Sequence, residues 1–171
     1  MKRMYAPWRH DYVTRKDKKN PTVKEMQNTC VFCHQLGQNN DDKYFIIKRF
    51  THCAVAMNYY PYNAGHLLIL PYKHCEFLKD LTTQERIEIM EVANASVLVL
   101  EQVMNAKGFN LGINLGAAAQ GSIPDHLHMH VLPRWRGDTS FLETLAETTI
   151  ISSDLFKTFD LLKEQFAPLD F

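Results

Sequence analysis

His126-Leu127-His128-Met129-His130-Val131-Leu132-Pro133 alternates imidazoles with apolar side chains and then stops at a proline. Successive side chains of a strand point to opposite faces. The alternation therefore predicts a strand over residues 126–132, with His126, His128 and His130 on one face and Leu127, Met129 and Val131 anchored in a core. With eight histidines in 171 residues, such a triplet arises by chance with a probability of about 0.02. One buried histidine is ordinary packing. Three on one face crowd groups that titrate near neutral pH, which favours chemistry.

Working outward, the glycine-rich run Gly116-Ala117-Ala118-Ala119-Gln120-Gly121-Ser122 reads as a loop and residues 109–115 as another strand. Upstream, Thr82 with Glu85 three residues later forms a capping box. Ile89, Ala93, Val97, Leu100 and Met104 follow at helical spacing, predicting one long helix over residues 83–107 that Gly108 stops. His66-Leu67-Leu68-Ile69-Leu70 is a strand candidate with both faces buried, ended by Pro71. Residues 44–47 and 54–57 suit a hairpin, and residues 154–166 form a C-terminal helix. The expectation is an α+β domain built on an antiparallel sheet.

A chain of 171 residues closes one substantial core, so a single domain over residues 29–171 follows a basic arm over residues 1–28. Residues 1–24 hold eight Lys or Arg against two Asp, leaving eleven basic and seventeen acidic residues beyond and a net charge of zero. A solvated arm is the expected state of this leader, and no specific nucleic-acid partner is assigned to it. No apolar run is long enough to cross a bilayer and no signal-peptide core follows Met1. The expected compartment is the cytoplasm, without a membrane partner. There, Cys30-Val31-Phe32-Cys33 points to metal or redox chemistry rather than a disulfide framework, and it supplies half of a zinc site.

A neutral imidazole attacks phosphorus well when its second nitrogen donates a hydrogen bond that fixes the tautomer. His128, flanked by two further imidazoles, suits that task. The flanking histidines can hold phosphate oxygens or a metal, and the glycine-rich loop lets backbone N–H groups approach phosphates. A P-loop is disfavoured because Ser122 follows Gly121 where that motif has Lys. Trp135 is a candidate wall for a base or part of a dimer contact. Tyr60 and Tyr62 are pocket or core, with packing the expectation. A triad that itself binds catalytic zinc, and a nucleotide-binding module without turnover, are the rival readings.

Asn58, Asn63-Ala64-Gly65-His66-Leu67-Leu68-Ile69-Leu70-Pro71, His74, Asn114 and the triad with Val131-Leu132-Pro133-Arg134 together resemble the histidine-triad (HIT) superfamily of nucleotide hydrolases and transferases. Gly121-Ser122, Pro133-Arg134-Trp135 with Gly137-Asp138, and Tyr5-Ala6-Pro7-Trp8-Arg9 look most like the bacterial diadenosine tetraphosphate phosphorylase type. The resemblance implies a HIT-like five-stranded antiparallel sheet and a homodimer whose sheets adjoin. It implies a covalent nucleotidyl-histidine at His128, with His130 and His66 in support. Asn58, Asn114, Gly121, Ser122, His130 and Trp135 would contact a nucleotide substrate. The reaction would be phosphorolysis or hydrolysis of a dinucleoside polyphosphate, or hydrolysis of a nucleoside phosphoramidate. A structural zinc on Cys30, Cys33, His74 and His126 is implied, with His34 and Cys75 as neighbours able to substitute, and no organic cofactor is expected. Ser122 stands four residues before the triad; the family's usual Ser or Thr position, three before it, is occupied by Ile123.

Overall fold

The computed structural model describes residues 30–119, 121–138, 145, 151 and 153–170. The basic arm and its Tyr5–Arg9 segment lie outside the described residues. The described elements run α1 (Val31–Gly37), β1 (Ile46–Arg49), β2 (Cys53–Met57), β3 (Leu67–Pro71), α2 (Thr83–Met104), β4 (Gly108–Ile113), β5 (Met129–Arg134) and α3 (Leu155–Phe166). The strands form one antiparallel sheet in the order β1-β2-β3-β5-β4.

Both faces of the sheet are covered. Val55, Met57, Leu67, Ile69, Met129 and Val131 pack with residues of α2 and α3 in the larger core. Ile46, Ala54, Ala56, Leu68 and Leu70 pack on the other face against Phe32 and Leu36 of α1. Every residue of β3 is therefore buried, as its unbroken apolar run predicts. Each such Leu or Ile contributes about 1.5–3 kcal/mol.

The capping box at α2 is present: the Thr82 hydroxyl accepts from the Glu85 amide at 3.2 Å and the Glu85 carboxylate accepts from the Thr82 amide at 2.6 Å. The helix ends earlier than the expected residue 107. Asn105 takes the left-handed conformation (φ 52°) after Met104 and supplies the stop, while Gly108 opens β4. Asn is among the few non-glycine residues that tolerate this conformation.

The histidine strand is also displaced from its expected bounds. Pairing with β3 stops at Ile69↔Met129, so His126 and His128 lie in the lead-in to β5. Pro71 has no N–H for the ladder, and the Leu127 amide turns to the Cys75 carbonyl at 2.6 Å instead. The alternation of faces survives, with Leu127, Met129 and Val131 in the helix-side core.

Candidate active site and metal centre

Two of the imidazoles, His66 and His130, form a chain whose tautomers the hydrogen bonds dictate. The Tyr62 backbone N–H donates to His66 Nδ1 at 3.1 Å, and Asn58 Nδ2 lies 3.2 Å from the same nitrogen. Nδ1 is thus an acceptor, and the proton of neutral His66 sits on Nε2. That N–H points at His130 Nδ1, 2.8 Å away. His130 in turn carries its proton on Nε2, as a donor directed beyond the pair. Burial, then the neighbouring histidines, pull His66 down to about 3 and His130 down to about 4, so both stay neutral near pH 7.

His128 is held differently. Its Nδ1–H donates to the His126 carbonyl at 2.8 Å, leaving Nε2 as a lone-pair nitrogen. Its ring centroid lies 4.9 Å from that of His130, and Phe32 packs edge-on against both His128 and His126 at 5.1 and 5.6 Å. The placement sets a lone-pair nitrogen beside an imidazole that carries an outward N–H.

Cys30, Cys33, His74 and His126 bring one donor atom each within 4.8 Å of one another. His126 Nδ1 lies 3.3 Å from Cys30 Sγ and 3.4 Å from both Cys33 Sγ and His74 Nδ1, and Cys33 Sγ lies 3.3 Å from His74 Nδ1. Zinc bonds of ordinary length at tetrahedral angles give edges of about 3.3–3.8 Å. The donor set fits. His126 Nε2–H donates to the Pro71 carbonyl at 2.9 Å, which leaves Nδ1 free for a metal and fixes the ring. Burial and the adjacent Cys30 push the Cys33 thiol up to about 11. His34 and Cys75 are outside this group: His34 faces the Tyr44 hydroxyl at 3.4 Å and Cys75 is buried in the helix-side core.

The other candidates fall into two groups. Gly121 packs on Asn114, where an added Cβ would meet the Asn114 Cβ at 3.4 Å, and Asn114 and Ser122 are both exposed. Asn58 spends its amide on His66 and accepts the Tyr60 N–H at 2.9 Å. Trp135 is drawn to the end of α2, its indole N–H donating to the Met104 carbonyl at 3.1 Å. A cavity of about 230 Å³ beside the start of α3 is lined by Met57, Tyr59, Pro61, Leu155 and Phe156 and by no histidine, so it stands apart from this chemistry.

The packing expected of the tyrosines is overturned. Tyr60 and Tyr62 are 55% and 63% exposed, and Tyr62 lies against the histidines, stacked on His130 with centroids 5.8 Å apart and planes 19° apart. Phe32 had no expected role. Its place between two cysteines on one short helix turn was the available signal, since that turn must face whatever the cysteines face.

An α+β sheet carrying a paired-imidazole chain, a lone-pair histidine and a Cys2His2 cluster defines a histidine-rich fold with a metal-ready scaffold. The chain belongs to the HIT domain family, whose profile matches residues 39–137. It is 33% identical over 167 residues, 98% of its length, to the AP-4-A phosphorylase of Mycobacterium tuberculosis, covering 85% of that protein. It is 33% identical over 104 residues to the asymmetrical bis(5'-nucleosyl)-tetraphosphatase of Schizosaccharomyces pombe, covering 61% of this chain and 53% of that one. Among solved structures, a Zn-bound histidine triad family protein from Mycobacterium smegmatis aligns with a TM-score of 0.67 at 26% identity, over 81% of this chain and 94% of that one. The chain is an enzyme of this family.

Proposed function

We propose that this enzyme cleaves dinucleoside polyphosphates such as diadenosine tetraphosphate through a nucleotidyl-histidine at His128. The carrying observation is the 2.8 Å bond from His128 Nδ1–H to the His126 carbonyl, which presents Nε2 as the nucleophile. In the first step the Nε2 lone pair forms an N–P bond while the P–O bond to the distal phosphates breaks, its electron pair leaving with the nucleoside polyphosphate. In the second step an oxygen of inorganic phosphate, or water, attacks phosphorus, and the N–P pair returns to Nε2. His130 Nε2–H stabilises charge on a non-bridging oxygen, with His66 holding its tautomer. Asn58, Asn114, Gly121, Ser122 and Trp135 are the proposed substrate contacts. The similarity to a phosphorylase over 98% of this chain and 85% of that protein favours phosphate as acceptor.

Zinc is the proposed occupant of the Cys2His2 group, where four protein donors make it a folding element and not a reactant. Such thiolates fit a reducing compartment, the cytoplasm. A homodimer is proposed on the edge strand β4, which among the described residues pairs with β5 alone and exposes Leu111; Ile87, Met90 and Leu98 of α2 are exposed as well.

Product analysis tests the reaction. With phosphate present, diadenosine tetraphosphate should give nucleoside diphosphate plus triphosphate; phosphate-independent release of monophosphate would show water as acceptor. Mass spectrometry of the enzyme quenched with substrate should place a nucleotide on His128, and His128→Gly should abolish it. Undiminished turnover by that variant would overturn the proposal.

A further inference from the structure

The loop between β2 and β3 is closed on itself. The Asn58 amide donates to the His66 carbonyl at 2.8 Å, the His66 amide to the Asn63 carbonyl at 3.3 Å, and the Asn58 side chain takes the Tyr60 N–H. This closure fixes Tyr62, whose ring has one side against imidazoles and the other in solvent. Its centroid is 4.8 Å from that of His66 at 40° and 5.8 Å from that of His130 at 19°, within the range of offset aromatic stacking. A tyrosine this exposed contributes little to the core, yet its backbone and its ring both converge on one histidine pair.

We propose that Tyr62 is the positioning residue of the His66–His130 pair: its N–H, together with the Asn58 amide, sets the His66 tautomer, and its ring roofs both imidazoles against water. The two parts reinforce each other. If water reached His66 Nδ1, a proton could enter there, turning the acceptor into a donor and opposing the Tyr62 N–H. A proton on His130 Nδ1 would likewise meet the His66 Nε2–H. Excluding water keeps the chain neutral and keeps the His130 Nε2–H aimed outward. Among the described residues the titratable groups facing the pair are His128 and Tyr62 itself. The depressed basicity of both histidines, with burial as its first cause, accords with the roof.

The consequence for turnover rests on the proposed role of His130, but the structural claim does not, and the experiment separates them. Ring-nitrogen NMR of the isotopically labelled, metal-loaded protein reads tautomer and titration without substrate. The native protein should show Nε2–H tautomers for His66 and His130, both titrating far below the ordinary 6.5. Tyr62→Ala keeps the backbone donor and removes the roof, so both should titrate higher by about one pH unit or more; Tyr62→Phe keeps the roof and should match the native protein. In turnover, Tyr62→Ala should lower kcat about ten-fold at unchanged KM. Unmoved titrations in Tyr62→Ala would overturn the proposal, as would a raised KM with kcat and titrations intact, which would make the ring a substrate contact. Moved titrations with unchanged kcat would uphold the roof and count against the catalytic role given to His130.

Discussion

Gly65→Ala is the sharpest test of how the scaffold presents His66. Gly65 has φ +70°, and an added Cβ would meet Met104 Sδ at 2.3 Å, with Met104 Cε at 3.1 Å and Leu100 Cδ2 at 3.2 Å. The left-handed conformation costs a non-glycine residue about 1–2 kcal/mol. Inserting a methyl group against a packed methionine and leucine costs about 1–3 kcal/mol more, reduced by whatever Met104 yields. The expected loss is therefore about 2–4 kcal/mol, or about 5–15 °C in melting temperature for a chain of this size. Urea unfolding of Gly65→Ala, Met104→Ala and the double variant separates the two causes, because truncating Met104 removes the clash and leaves the dihedral cost. A favourable coupling of about 1 kcal/mol between the two sites is expected. A loss under about 0.5 kcal/mol, or a coupling of zero, would show that the backbone does not press Gly65 on α2.

Two further outcomes follow from the buried polar groups. Chelation, or Cys33→Ser, should lower the melting temperature while leaving kcat near its starting value at a temperature where the fold survives; rapid loss of turnover with the fold intact would instead make the metal a reactant. His66 and His130 bind protons more weakly in the folded chain than their ordinary 6.5, so the unfolded chain takes up more protons as pH falls below that value. Their contribution to stability is thus complete above about pH 6.5 and is lost as pH drops toward 4, by up to about 4 kcal/mol between pH 7 and 5 for two fully neutral histidines. Denaturation midpoints of the native protein and His130→Asn across that range check this, and the variant should show the smaller slope.

Much of the fold was legible because its signals were local. The capping box of Thr82 and Glu85 marked the start of the long helix to the residue, and the unbroken apolar run 67–70 announced a strand covered on both sides. What failed was decided at a distance. Pro71, on a neighbouring strand, denies the ladder to residues 126–128, and no property of the histidine run itself reports that. Helix α1 is seven residues long and its N-cap, Cys30, makes no side-chain cap, so it left no helical signature. The alternation placed the three imidazoles on one side, but the tautomer of His130 depends on His66, and through it on the Tyr62 amide and the loop that carries it. His74 and His126 lie 41 and 93 residues from Cys33; only the family resemblance joined them to the cysteines. Exposed Tyr62 and core-facing aromatics are the same letters in a sequence, and only the closed loop distinguishes them.

His126 offers its ring to the thiol cluster and its carbonyl to the ring two residues on. Damage at the cysteines by oxidants would therefore loosen the segment that carries this carbonyl, lowering the temperature at which the fold, and His128 with it, holds its place. Conversely, an inactive His126 variant says nothing by itself about chemistry, since the same change dismantles the platform on which His128 is aimed.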